Sequence, residues 1–278
     1  MARRILIHWW GYGFLFLTAL FFPSSAAADG INVIWYTYSP AGGLYQSTIS
    51  GIAAANGWNV TFFSAGDTPN FTQYQVLVTQ SWPFTYDDSG GRVNDYPNYG
   101  GILGNQAAIS EARGDRTIIT GQDVDFHAIF GNNEDTALQF LINGVNWAGS
   151  GNGLGVFALI DFPGGSFPQW FFDPNSFLNT DLSGTGMTYF SRDDVVLANS
   201  DHPVNLGLTS DGLSDWGQSY HGYFGNVPAG FDVLSVNDDG YAVTVATRSA
   251  EVPEPSTLVL LGIGLAAAGL ANRRRART

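Results

Sequence analysis

The sequence predicts an α/β fold: one doubly wound, mostly parallel sheet domain with helices on both faces and a late β-hairpin. Three observations carry this expectation. Between residues 31 and 160, strand-length apolar runs alternate with helix-period segments, and such alternation builds a parallel sheet because each crossover helix must pack back on it. The runs are rich in Val, Ile and aromatic residues and are bounded by Gly, Pro, Asn and Asp. The stretch 29–250, roughly 220 residues, is long enough to bury one sizeable core.

The elements follow in order. Residues 31–38 form the first strand, broken by Ser39-Pro40-Ala41-Gly42-Gly43. A helix over 44–56 places Tyr45, Ile49, Ile52 and Ala53 on one face, and Gly57 stops it. Residues 59–64 and 74–79 are the second and third strands. A Gly/Asp/Tyr/Pro loop over 81–99 has the length at which loops carry function. A weaker helix over 102–113 leads to a strand over 116–120. Asn132 or Asn133 caps a helix whose first turn carries Glu134 and Asp135, with Leu138, Leu141, Ile142 and Val145 as its buried stripe. A strand over 154–160 follows, then an irregular stretch over 163–193. Strands over 233–236 and 241–247 flank Asn237-Asp238-Asp239-Gly240, a hairpin turn. No internal repeat is present.

Composition excludes several classes of function. The chain has no cysteine and no lysine, and its formal net charge is −13. Thiol catalysis, disulfide stapling and cysteine-held metal are therefore out. Residues 29–250 hold five arginines against twenty-two carboxylates, which repels phosphate backbones and argues against nucleic acid as a partner. The aromatic fraction of 14% is too high for a solvated disordered chain.

The two ends are addresses. Arg3 and Arg4, the apolar run 5–22 and Ala26-Ala27-Ala28 read as a signal peptide, residues 1–28, cleaved by signal peptidase between Ala28 and Asp29. Residues 251–278 contain Val252-Pro253-Glu254-Pro255, an apolar helix over 258–271 and the cluster Arg273-Arg274-Arg275-Ala276-Arg277. Fourteen helical residues span about 21 Å against a hydrocarbon core of about 30 Å, a marginal membrane anchor. The arginines belong on the cytoplasmic side, with the body outside. This tail resembles the PEP-CTERM sorting signal of Gram-negative bacteria. The resemblance implies export across the inner membrane, transient anchoring, recognition of Val252 to Pro255 by an exosortase, and delivery to the cell surface or extracellular space. It also implies an association with exopolysaccharide and biofilm.

In the body, Thr120-Gly121-Gln122-Asp123-Val124-Asp125-Phe126-His127 follows a strand, where open parallel sheets bind ligands. If this segment stays extended, Asp123, Asp125 and His127 share one side, suited to acid–base work or to a divalent cation, although no cofactor is required. The bland alternative has Asp123 capping the loop, Asp125 paired with Arg113 or Arg116, and His127 a satisfied structural polar. A second cluster, Ser214-Asp215-Trp216-Gly217-Gln218-Ser219-Tyr220-His221, lacks the Gly-x-Ser-x-Gly elbow of serine hydrolases. The strand order, the turn after Thr120 and the late His-Pro and Ser-x-His segments resemble the class I glutamine amidotransferase-like fold, a flavodoxin-like architecture, and within it the ThuA-like relatives. The family's nucleophilic cysteine would fall near Gln122 or Asp123; its absence excludes that chemistry and leaves His127 and His221 as neighbours in the crevice. The expectation is a non-catalytic binding domain for an extracellular polysaccharide, with Trp82, Tyr86, Tyr96, Tyr99, Trp170, Trp216 and Tyr220 available to stack on sugar. The alternative is an extracellular hydrolase of glycans or esters using His127, His221, Asp123, Asp125 and Asp215.

Overall fold

The computed structural model describes residues 30–38, 43–81, 85–86, 92–93, 99–130, 134–160 and 170–248. The signal segment, the sorting tail, most of the 81–99 loop and the Asn132/Asn133 cap lie outside these residues. Strands β1 (Ile31–Tyr36), β2 (Trp58–Phe63) and β3 (Val76–Thr79) come first, with helix α1 (Leu44–Ala55) between β1 and β2. The two-residue strands β4 (Thr85–Tyr86) and β5 (Arg92–Val93) pair with each other. Helices α2 (Gly100–Gly104) and α3 (Gln106–Ala112) precede β6 (Arg113–Thr120), and α4 (Val124–Phe130) and α5 (Glu134–Gly149) lead to β7 (Leu154–Leu159). The later chain adds α6 (Asn179–Leu182), β8 (Thr188–Arg192), β9 (Val195–Leu197), α7 (Ser210–Ser214), β10 (Tyr220–Tyr223), β11 (Phe231–Asn237) and β12 (Ala242–Thr247).

Eight strands form the main sheet in the order β2-β1-β3-β7-β6-β12-β11-β9. The first five are parallel; β12, β11 and β9 extend the sheet by antiparallel pairing. Burial follows position. The central strands β3 and β7 are buried at every residue, whereas the edge strand β2 is buried only at Trp58 and Phe63 and exposed at Asn59 and Thr61. Two cores result, one on each face. Val33, Trp35, Ile49, Phe140, Leu141, Val145 and Phe157 pack under α1 and α5, while Ile34, Tyr36, Ile109, Val156, Trp170 and Phe171 pack under α3 and the 170–182 segment.

Several expectations need correction. The segment after Thr120 is not extended: α4 begins at Val124, and the His127 amide donates to the Asp123 carbonyl at 3.1 Å. The single helix expected over 102–113 is two helices broken at Asn105, whose side-chain amide donates to the carbonyls of Asp67 and Gly101 instead of continuing one axis. The stretch 163–193, read as irregular, contains a 3₁₀ turn at Trp170–Phe172, α6 and β8. The late hairpin is present as β11 and β12, and Gly240 supplies the left-handed φ of +83° that its turn requires. Among the described residues no helix is long and apolar enough to cross a membrane.

Candidate functional site

The carboxyl edge of the parallel strands carries an unusual concentration of buried polar side chains: Thr37, Gln80, Ser81, Thr120, Gln122, Asp123, Asp125 and His127. Asp123 sits there because β6 ends at Thr120, whose hydroxyl accepts the Gln122 amide at 3.1 Å and turns the chain into α4. Four residues on, one helical turn returns His127 to the same side. Its Nε2 lies 3.3 Å from Asp123 Oδ1 and donates to the Gln218 carbonyl at 3.1 Å. A carbonyl only accepts, so Nε2 carries the proton.

His221 arrives from elsewhere in the chain. β10 crosses the end of β6, and the His221 amide donates to the Gly121 carbonyl at 2.8 Å. That approach demands glycine: a Cβ on Gly121 would stand 1.9 Å from the Gly222 carbonyl oxygen. The crossing places His221 Nδ1 3.9 Å from Asp123 Oδ2. Gln218 reaches both rings, its main-chain oxygen to His127 and its side-chain Oε1 to His221 Nε2 at 3.3 Å. Trp216 packs on His127 with ring centroids 5.1 Å apart. Tyr189, partly exposed, lies against His221 at 6.3 Å.

Asp123 occupies the N-cap position of α4 by its backbone, yet its carboxylate does not cap. Among the described residues neither of its buried oxygens has a hydrogen-bond partner, nor do Gln122 Nε2 and His127 Nδ1. Buried polar atoms are normally satisfied, so four orphaned atoms on three neighbouring residues are unusual.

Asp125 points away into a separate network. Its Oδ2 accepts from Tyr45 Oη at 2.5 Å and from the Ser81 amide at 3.1 Å, and its Oδ1 accepts from Ser81 Oγ. Tyr45 Oη in turn accepts from Trp35 Nε1 at 3.0 Å. This network lies between β1 and β3, where the strand order reverses. Burial pushes the Asp125 carboxyl up to about 6, held back by the Ser81 and Tyr45 donors and raised further by Asp123. Burial and the adjacent Asp125 charge push the Tyr45 phenol well above its ordinary value.

The structure thus brings Asp123, His127 and His221 together and separates Asp125 from them. The arginine partnership expected for Asp125 does not form: Arg113 pairs with Asp181, and Arg116 donates to Trp147 and Ser150. Asp215 is exposed at the end of α7, outside the buried cluster. Ser219 donates to Asp193 at 3.0 Å, so no serine triad forms around it. Of the aromatics expected to stack on sugar, Trp170, Trp216 and Tyr220 are buried, and Tyr99 packs on Tyr38. Trp82, Tyr96 and the Tyr86 side chain lie outside the described residues. Among the described residues no group of three His, Cys, Asp or Glu side chains is arranged to hold a metal ion. Sequence reasoning missed Gln218, Tyr45 and Ser81 as site residues. Only Gln218 left a trace, since Gly217 before it marks a turn and His221 stands three positions later.

No curated protein and no solved structure matches the chain. Residues 251–275, however, match the family model described as the PEP-CTERM protein-sorting motif, the segment whose proline pair, apolar run and arginine cluster lie in that order. The chain therefore carries a PEP-CTERM protein-sorting motif, and such a motif implies export and processing by an exosortase.

Proposed function

We propose that the exported body is an extracellular hydrolase of esters or glycans, with Asp123, His127 and His221 as its reactive centre. One observation carries this reading: a carboxylate only 1% exposed, both oxygens without a hydrogen-bond donor, held between two imidazoles at the carboxyl edge of a parallel sheet. Such an arrangement is costly for folding alone, because a buried carboxylate needs donors that Asp123 does not have. It suits proton transfer. Asp123 takes a proton from an attacking water and passes it to His221; the water oxygen bonds to the substrate carbon as that carbon's bond to the alcohol oxygen breaks, and the His221 imidazolium gives the proton to the departing oxygen. His127, fixed by Gln218 and Trp216, holds the carboxylate from one side, and His221 faces the other.

The binding-domain reading draws less support, since three of the aromatics it relied on are core residues. The test is hydrolysis of aryl esters and aryl glycosides by the mature protein and by Asp123→Asn. Hydrolysis by the native protein, with a loss of at least about 100-fold in the variant, is expected. Asp123→Asn should also leave the melting temperature unchanged or raise it, because a neutral amide is cheaper to bury. A native protein that hydrolyses neither substrate class faster than the variant would remove the enzyme reading. A variant that loses stability would make Asp123 a structural residue.

A further inference from the structure

A cleft of about 440 Å³ opens where α5 ends and β7 is about to begin, at the edge of the sheet opposite Asp123. Its volume falls in the range of small-ligand sites. Arg116 forms one wall. Its Nη1 donates to the Trp147 carbonyl at 2.9 Å and to Ser150 Oγ, which closes the end of α5, and its guanidinium carbon lies 5.1 Å from the Trp147 ring centroid. Among the described residues, Nε and Nη2 have no hydrogen-bond partner.

That state is exceptional here. Of the four arginines with described side chains, Arg113, Arg192 and Arg248 are each paired with a carboxylate. Arg116 is not, in a body where carboxylates outnumber arginines more than fourfold. The neighbouring Asp115, whose charge Arg116 feels, accepts its hydrogen bonds from the Asn152 amide and side chain at 2.9 Å each. His202 adds a second free donor. Its Nδ1 accepts the Val204 amide at 3.2 Å, so Nε2 carries the proton, and no hydrogen bond engages that atom among the described residues. The His202 ring packs on Trp147 at 5.0 Å. Pro203 and Leu206, the latter 70% exposed, supply an apolar wall.

We propose that this cleft binds a small cyclic organic carboxylate. The carboxylate sits on the free edge of Arg116 and on His202 Nε2, and an apolar ring face rests against Pro203 and Leu206. A guanidinium edge matches a carboxylate in both geometry and charge, and a concave site with apolar walls strengthens the pairing. The site is independent of the Asp123 centre and stands whether or not that centre is catalytic.

Calorimetric titration of the mature protein with D-glucuronate, benzoate and D-glucose tests the proposal. Saturable binding of glucuronate assigns a sugar acid, and of benzoate an aromatic acid. Binding of neither with a Kd below about 10 mM overturns the proposal, as does glucose binding as tightly as the acids. Because Arg116 also closes α5, Arg116→Gln is paired with two variants that spare the fold. Leu206→Asp brings a carboxylate to an exposed rim position, and His202→Asn retains a side-chain acceptor for the Val204 amide while removing Nε2. Each is expected to weaken binding at least about tenfold with an unchanged melting curve, whereas Leu206→Asn has a smaller effect. Unchanged affinity in Leu206→Asp and His202→Asn overturns the assignment.

Discussion

Asp125 accepts three hydrogen bonds and is nevertheless held up at about 6, because its site is wholly buried. The consequence for stability has a definite sign. A carboxyl whose folded pKa lies above its unfolded value binds more protons in the native state, so native stability falls as pH rises through the window between them. Here the window runs from 3.8 to about 6. Urea unfolding of the native protein should therefore show a contribution that destabilises above pH 6 and fades towards pH 4. Asp125→Asn should flatten that contribution, and an unchanged pH profile in the variant would refute the assignment. Asp125→Ala behaves differently: it strands the Ser81 and Tyr45 donors, with an expected loss of about 1–3 kcal/mol for each buried group left unpaired. Two carboxylates two positions apart thus have opposite characters, Asp125 satisfied by donors and Asp123 bare.

At the scale of elements, the candidate centre depends on how close β10 comes to the end of β6. Gly121 and Gly222 allow that contact, and no larger residue fits at Gly121, since its Cβ would meet Gly222 backbone atoms at 1.9, 2.6 and 3.0 Å. Gly121→Ala should push β10 away, break the bond between the His221 amide and the Gly121 carbonyl, and move His221 from Asp123. A loss of at least about 1–3 kcal/mol in urea unfolding is expected, together with loss of any hydrolysis that depends on Asp123. The counterpart is Gly51 in α1, where a Cβ meets nothing within 4 Å. Gly51→Ala should stabilise by about 0.5–1 kcal/mol through the reduced entropy of the unfolded chain. If both substitutions had the same effect, the close approach at Gly121 would not be the cause.

At the scale of the whole molecule, the acidic body and the sorting tail have separate tasks. The tail carries four of the chain's eleven arginines and the PEP-CTERM motif, whereas the sheet domain holds both candidate sites, one at each edge of its strands. The apolar run 258–271 has fourteen residues, fewer than the roughly 20 that a membrane-spanning helix needs, which favours a transient hold over a permanent anchor. Mass spectrometry of the protein from a host with its exosortase should find a mature form without Arg273, Arg274, Arg275 and Arg277. A mature form that retains them would make the tail a simple anchor.

The sequence by itself determined what is written in contiguous residues. Strand-length apolar runs and the α5 stripe follow from periodicity, the β11–β12 hairpin from a four-residue turn, and the sorting tail from a motif read in linear order. The helical start of α4 escaped this reading, because alternation of polar residues over 121–127 suits a strand and an i, i+4 pair equally well. Tertiary structure decided that Asp123 and His127 share a helical face, that Asp125 turns to Tyr45 and Ser81, and that Gln218 bridges two imidazoles. It also decided that Trp170, Trp216 and Tyr220 are core, since an aromatic ring has the same identity whether it stacks on a ligand or fills a layer. The meeting of His221 with Asp123 is the clearest case. It depends on β10 crossing the end of β6 over a pair of glycines, and strand order and close backbone approach are properties of the packed chain that no local run of residues encodes.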